Sequence, residues 1–263
     1  MDFLGGGILK DYIAYLKFDD LSMKELIVSM DDAIINHKKA ITCTPNLDGM
    51  RVAYKDKEIR DNINKADYVT IDGKPVLWIA KWLKKKQFKY KISGSDLTPE
   101  VLKLANEKGY TVAIFGGKDG VADMAKENIE KDYPNVKVVL TLCPKFGFEN
   151  DEVLMKQYIE ELNSSNADIY LMCTGFPKTE KYVFKYYDSF GPGLYLLVGA
   201  TVDFLAGNIK RAPKWMSNCG LEWLYRLSKD FRRLFKRYWL DFWFLVKIFF
   251  ICAFNKKKFE NMK

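Results

Sequence analysis

The sequence predicts an α/β fold, a Rossmann-like layered core followed by a C-terminal basic amphipathic helical appendage. Three observations lead there. Between residues 40 and 200, short apolar, β-branched runs alternate with longer helical patterns, the signature of strands layered against helices. Several of those runs end in glycine, at Phe115-Gly116-Gly117, Thr174-Gly175 and Val198-Gly199. After about residue 220 the chain turns strongly basic and aromatic. With 263 residues, 48% of them hydrophobic, the chain suffices for one sizeable core and an appendage, and the expected division is 1–220 and 221–263.

Taken in order, strands are expected at 40–43, 68–71, 111–115, 136–142, 168–173 and 195–198. Helices are expected between them at 74–84, 98–108, 121–131, 151–163 and 178–187. Thr98-Pro99 reads as a helix start, with threonine as the cap and proline at the first helical position. The opening MDFLGGGILK lacks the basic region and the apolar length of a signal peptide, which points to a cytoplasmic protein. Cysteines at 43, 143, 173, 219 and 252 form no C-x-x-C pair, so free thiols in a reducing compartment are expected. The single histidine, His37, argues against a zinc site.

Net charge is +8, from 42 Lys and Arg against 34 Asp and Glu, which implies an anionic partner. The whole excess lies in residues 223–263, which carry 11 basic and 3 acidic residues, and residues 1–222 are balanced. The same segment holds 13 of the 39 aromatic residues. At about 100° per residue, Arg226, Lys229, Arg232, Arg233, Lys236 and Arg237 fall on one arc of roughly 140°, opposite Leu224, Leu227, Phe231, Leu234, Phe235 and Tyr238. Such a helix suits an anionic membrane surface, with aromatics among acyl chains and cations against headgroups. The following run 239–254 is strongly apolar but short for a span and contains Asp241 and Lys247, which favours surface attachment. FWFLVKIFFICAF favours lipid over nucleic acid as the partner, and a core-packing helix with a solvated basic face remains the plain alternative.

Four clusters carry candidate chemistry. Thr44-Pro45-Asn46 ends an expected strand, where proline stiffens the turn and two short polar side chains flank it. ADYVTIDG (66–73) delivers Asp72 to a strand end, where a carboxylate can act as general base or can simply make an Asp-Gly turn. GFPKTE (175–180) and GATVDFLAG (199–207), the latter with Asp203, place carboxylates beside glycine-rich strand ends, suited to ribose hydroxyls, to a base edge or to helix caps. Glycine at strand ends lets backbone amides approach a phosphate, although tight turns alone would also explain it. No D-x-D pair follows an expected strand, so nothing supports a carboxylate-held divalent metal.

In sequence order, TPN, ADYVTIDG, KISGSDL (91–97), FGGKDGVA (115–122), TGFPKTE, VGATVDFLAG, RAP and LEWLYRL together resemble the WecG/TagA/CpsF family of bacterial glycosyltransferases, over about residues 11–240. The resemblance implies transfer of a hexose, N-acetylmannosamine or a related sugar, from a UDP-sugar to an undecaprenyl-diphosphate-linked N-acetylglucosamine. It implies a peripheral enzyme at the cytoplasmic membrane face, with inversion at the anomeric carbon and with neither metal nor cofactor, and it leaves an oligomer open. By motif, the base corresponds to Asp72, and the acceptor pocket to Thr44 and Asn46. The nucleotide-sugar side corresponds to Gly116, Gly175, Pro177, Thr179, Glu180 and Asp203, and the arginines meeting the lipid diphosphate to Arg226 and Arg233. Two departures stand out. Thr179 replaces the family's glutamine, so that amide contact is lost. Asp230-Phe231 replaces Glu-Pro, which is expected to leave the tail helix unbroken.

Two other classes compete. A dinucleotide-dependent oxidoreductase would need the full glycine fingerprint, which is absent. A non-catalytic membrane or nucleic-acid adaptor would use the basic tail but leaves TPN, VTIDG and VDFLAG unexplained.

Overall fold

In the computed structural model, residues 10–209, 212–213, 216 and 222–262 are described, without the side chains of Glu222 and Arg233. Lys10–Ile13 (β1) and Leu16–Asp19 (β2) form an antiparallel hairpin apart from the main sheet. Met23–Ile35 (α1) begins with a capping box between Ser22 and Glu25 and leads to Lys39–Cys43 (β3). Two short helices, Leu47–Lys55 (α2) and Lys57–Lys65 (α3), precede Tyr68–Val69 (β4). Then come Lys74–Trp82 (α4), Gly94–Lys108 (α5), Thr111–Gly116 (β5), Val121–Asp132 (α6) and Lys137–Leu142 (β6). Glu152–Ser164 (α7), Ile169–Cys173 (β7), Lys178–Lys185 (α8), Gly193–Leu197 (β8) and Thr201–Leu205 (α9) complete the body. The tail forms Glu222–Lys229 (α10), Phe231–Phe254 (α11) and Lys257–Glu260 (α12).

Among the described residues the main sheet has six strands, all parallel, in the order β4-β3-β8-β7-β5-β6. Its strands read as continuous apolar runs because both faces are covered. Along β7, Ile169 and Leu171 pack toward α1, α5 and α6, whereas Tyr170 and Met172 pack toward α2, α3, α7 and α8. This is the Rossmann-like layering expected, and it leaves only the ends of the strands open to solvent. The tail joins the second of these layers. Phe244, Ile248, Ile251, Cys252 and Phe259 are buried in the same cluster as Tyr15, Met50 and Ile79. Cys43, Cys143, Cys173 and Cys252 form no disulfide among the described residues, and Cys219 lies outside them.

Two expectations are corrected. Helix α5 starts at Gly94, not Thr98, because the Ser93 Oγ accepts the Asp96 N–H at 3.1 Å and caps the helix earlier. Pro99 therefore lies inside the helix, where its ring fits helical φ at the loss of one backbone bond, and the Thr98 hydroxyl donates to the Gly94 carbonyl at 2.8 Å. The tail helix is not continuous: Asp230, at φ −144° and ψ 65°, separates α10 from α11. Aspartate favours helix ends over interiors, so the break forms without the family's proline.

The end of β5 is set by a close approach of two strands. Gly116 has φ +126°, and a Cβ there would overlap the Cys173 carbonyl group and lie 2.9 Å from the Thr174 nitrogen. Gly116→Ala should therefore destabilise by about 3 kcal/mol or more through strain and overlap. At Gly120, with φ +76° and nothing within 4 Å, the same change should lose only about 1 kcal/mol. Urea unfolding of both variants checks the difference.

Candidate active site

Open parallel sheets bind ligands beyond the carboxyl ends of their strands. The ends of β3, β4, β7 and β8 enclose a polar cleft of about 240 Å³, which brings together Thr44, Asn46, Asp72, Gly175, Thr179, Glu180 and Arg226. Helices α2, α5 and α8 begin at this cleft, through Asn46, Gly94 and Gly175, so the positive ends of their dipoles face it. A second cleft, of about 400 Å³, adjoins it and is walled by Leu47, Pro75, Trp78, Trp223, Tyr238, Phe242 and Leu245. Asn46, Asp48, Asp72, Arg226 and Arg237 line both. The site is thus a polar chamber and an apolar chamber with one charged wall in common.

Each side chain has a local reason for its place. β4 is only two residues long, but the chain stays beside β3: the Thr70 N–H donates to the Cys43 carbonyl at 3.0 Å and the Asp72 N–H to the Pro45 carbonyl at 3.3 Å. Gly73, at φ +98°, then turns the chain into α4 and leaves Asp72 at the common wall. Asn46 is the N-cap of α2, its Oδ1 accepting the Gly49 N–H at 3.1 Å, which fixes the amide at the cleft edge. Gly94 lets α5 approach closely, since a Cβ there would lie 3.3 Å from the Thr44 Oγ1. Thr179 is buried and its hydroxyl pairs with the Thr174 Oγ1 at 2.8 Å and with the Gly175 carbonyl at 3.1 Å. Its hydroxyl is thereby tied into the floor of the cleft. From the tail, the Arg226 guanidinium lies 5.4 Å from the Phe204 ring, which also lines the polar cleft.

Other sequence candidates stand elsewhere. Gly116, Pro177 and Asp203 line neither cleft. The backbone of Asp203 is used within α9 and its following turn, with its N–H on Ala200 and its carbonyl on Ile209. Arg233 lies on α11 with its side chain outside the described residues, as are Arg211, Lys214, Trp215, Gly220 and Leu221 of the motif region. Sequence reasoning passed over Asp48 and Arg51, set Arg237 on the basic arc facing a membrane and noted Asp241 only as a charge in the apolar run, whereas the four meet between α2 and α11. Their only local signal is spacing, three residues on α2 and four on α11.

Helix α11 has two apolar faces rather than one. Phe244, Ile248 and Cys252 are buried against the body, and Leu234 is buried too, whereas Phe231, Phe235, Trp239, Trp243, Phe250 and Phe254 project outward on the opposite side. At 24 residues, α11 is about 36 Å long. Among the described residues no helix is long and apolar enough to cross a membrane. The apolar cleft opens on the outward aromatic face, since Trp78, Trp223 and Phe242 line the cleft and are themselves exposed.

Glu180 is a buried carboxyl group of the polar cleft, and its Oε2 has no hydrogen-bond partner among the described residues. Burial pushes its carboxyl up from 4.5 to about 7. The unfolded chain therefore ionises first as pH rises, and the native state loses up to about 3 kcal/mol between pH 4.5 and 7. Glu180→Gln removes that slope, so the variant should gain on the wild type from pH 5 to pH 8 in urea unfolding. Asp19, pushed up to about 6 by burial, contributes equally to both proteins and cancels.

Comparison with known proteins agrees with this architecture. The Glycosyl transferase WecG/TagA/CpsF family profile matches residues 12–259. An N-acetylglucosaminyldiphosphoundecaprenol N-acetyl-beta-D-mannosaminyltransferase of Bacillus subtilis strain 168 is 29% identical over 188 residues, 72% of this chain and 71% of the relative. The protein of the same name from Bacillus spizizenii strain W23 is 25% identical over 216 residues, 82% of this chain and 81% of the relative. A parallel sheet whose strand ends open on paired clefts, in a chain matched over nearly its full length, makes this protein a glycosyltransferase of the WecG/TagA/CpsF family.

Proposed function

We propose that this enzyme transfers an N-acetylmannosaminyl or related hexosyl group from a UDP-sugar to undecaprenyl-diphosphate-linked N-acetylglucosamine at the cytoplasmic face of the membrane. The position of Asp72 carries this assignment, because it lines the wall between a polar and an apolar chamber. The nucleotide-sugar occupies the polar chamber against Gly175, Thr179 and Glu180, and the lipid-linked acceptor occupies the apolar one. Asp48, which pairs with Arg51 and Arg237, lines the same wall. The two Bacillus relatives described above carry names that specify this acceptor and this sugar.

In the reaction, the Asp72 carboxylate takes the proton of an acceptor sugar hydroxyl, and the resulting oxygen attacks the anomeric carbon from the face opposite UDP. The bond to the β-phosphate oxygen breaks, UDP leaves with the electron pair, and the anomeric configuration inverts. Negative charge on the departing diphosphate is met by the N-termini of α2, α5 and α8 and by Arg226, with no step assigned to a metal. Thr44 and Asn46 orient the acceptor sugar. Outward aromatics of α11 lie in the bilayer interface, so a polyprenyl chain enters past Trp78, Trp223 and Phe242.

Asp72→Asn should lower kcat by about 100-fold or more while UDP binding persists, read by transfer assay and by calorimetric titration with UDP. Near-normal turnover would remove Asp72 as the base. Trp239→Glu with Phe250→Glu changes two residues that are each 54% exposed, so the fold should remain intact. That protein should lose association with anionic phospholipid vesicles in a flotation assay, and retained association would refute the membrane-facing role of α11.

A further inference from the structure

Among the described residues, the contact between α11 and the body includes a cluster of four charges. The Arg51 Nε of α2 donates to the Asp241 Oδ1 of α11 at 2.7 Å, and its Nη2 engages Asp48 one turn earlier on its own helix. The Arg237 Nε, one turn before Asp241, lies 3.3 Å from Asp48 and 3.8 Å from Asp241. The side chains of Arg51 and Asp241 are only 16% and 8% exposed, whereas that of Arg237 is 34% exposed.

Three physical points give this cluster a role. Arg237 precedes Asp241 by four residues, the less favourable order for an ion pair within a helix, and their distance is the longest in the cluster. The contact across the two helices, rather than the one along α11, is therefore what this spacing serves. Apolar neighbours such as Phe244, Ile248 and Ile251 tolerate sliding or rotation of a helix, whereas a buried charge displaced from its partner is left unpaired at a large penalty. A shift of one residue would turn α11 by about 100° and carry Arg237 away from the clefts. Finally, Arg237 and Asp48 line both chambers, and Arg51 lines neither.

We propose that the Arg51–Asp241 ion pair is a positioning latch that fixes the register of α11, so that Arg237 stands at the junction of the two clefts and binds the diphosphate of the lipid-linked acceptor. Arg51 acts through Asp241 and Asp48 and touches no substrate, and Arg237 is the binding residue. The latch makes the seat of the tail a condition for acceptor binding, and it rests on the assignment of the apolar chamber to a polyprenyl diphosphate.

The test uses the full chain and farnesyl diphosphate as probe, read by the fluorescence of tryptophans that include Trp78 and Trp223 in the apolar cleft. Wild type should bind farnesyl diphosphate more tightly than farnesol. Arg237→Gln and Arg51→Met should each weaken that binding by about tenfold or more, with UDP affinity unchanged. The exchanged pair Arg51→Asp with Asp241→Arg should recover most of the loss suffered by Arg51→Met, which general destabilisation would not allow. Equal binding of the diphosphate by wild type and Arg51→Met, or loss of UDP and diphosphate binding together without recovery in the exchanged pair, overturns the latch. If wild type and variants bind the probe as expected but no sugar is transferred from any UDP-sugar, the transferase assignment fails and the latch stands.

Discussion

Burial of both faces of the parallel sheet is the constraint on which the rest of this structure depends. Once helices cover Ile169 and Leu171 on one side and Tyr170 and Met172 on the other, the strands offer a ligand only their ends. The carboxyl ends of β3, β4, β7 and β8 are neighbours in the sheet although they are far apart in sequence. Thr44, Asp72, Gly175 and Thr201 therefore meet at one cleft. The helices that follow or adjoin these strands start there as well, so the cleft has both shape and the positive potential of their N-termini.

Half of the site nevertheless comes from outside the sheet. The body has no net charge, and the basic tail brings Arg226 and Arg237 to the wall between the chambers. The same tail supplies Trp223, Tyr238, Phe242 and Leu245 to the apolar chamber. The proposed donor, which is water-soluble, and the proposed acceptor, which is anchored in lipid, pose opposite solvation problems. Two chambers of opposite polarity, with Asp48 and Asp72 on the wall they share, suit that pair, and exposed aromatics of the tail lie beside the apolar one.

Between residues 111 and 198 most elements were legible from the sequence. Strands β5, β7 and β8 are apolar on both faces, and helices such as α6 and α7 carry clear stops or caps, Asp151 at α7 among them. The β1–β2 hairpin escaped notice because each strand is four residues long, too short for periodicity to register. Helices α2 and α3 bury only three residues each, so their mostly polar sequence reads as a connection. The expected start of α5 failed at Thr98-Pro99 because a serine five residues upstream offered a stronger cap.

What the sequence determined by itself was local: the alternation of strands and helices, the delivery of Asp72 to a strand end, the segregation of positive charge into the last 41 residues, and the motif order that marks the family. Tertiary structure alone decided that α11 turns one apolar face inward and the other outward, that Thr179 spends its hydroxyl on Thr174 and Gly175, and that Arg51 meets Asp241, 190 residues away. The physical reason is range. Periodicity, capping and turn chemistry act over a few residues and are written in them, whereas the partner of a charge or the environment of a helix face exists only after the sheet has brought distant segments together.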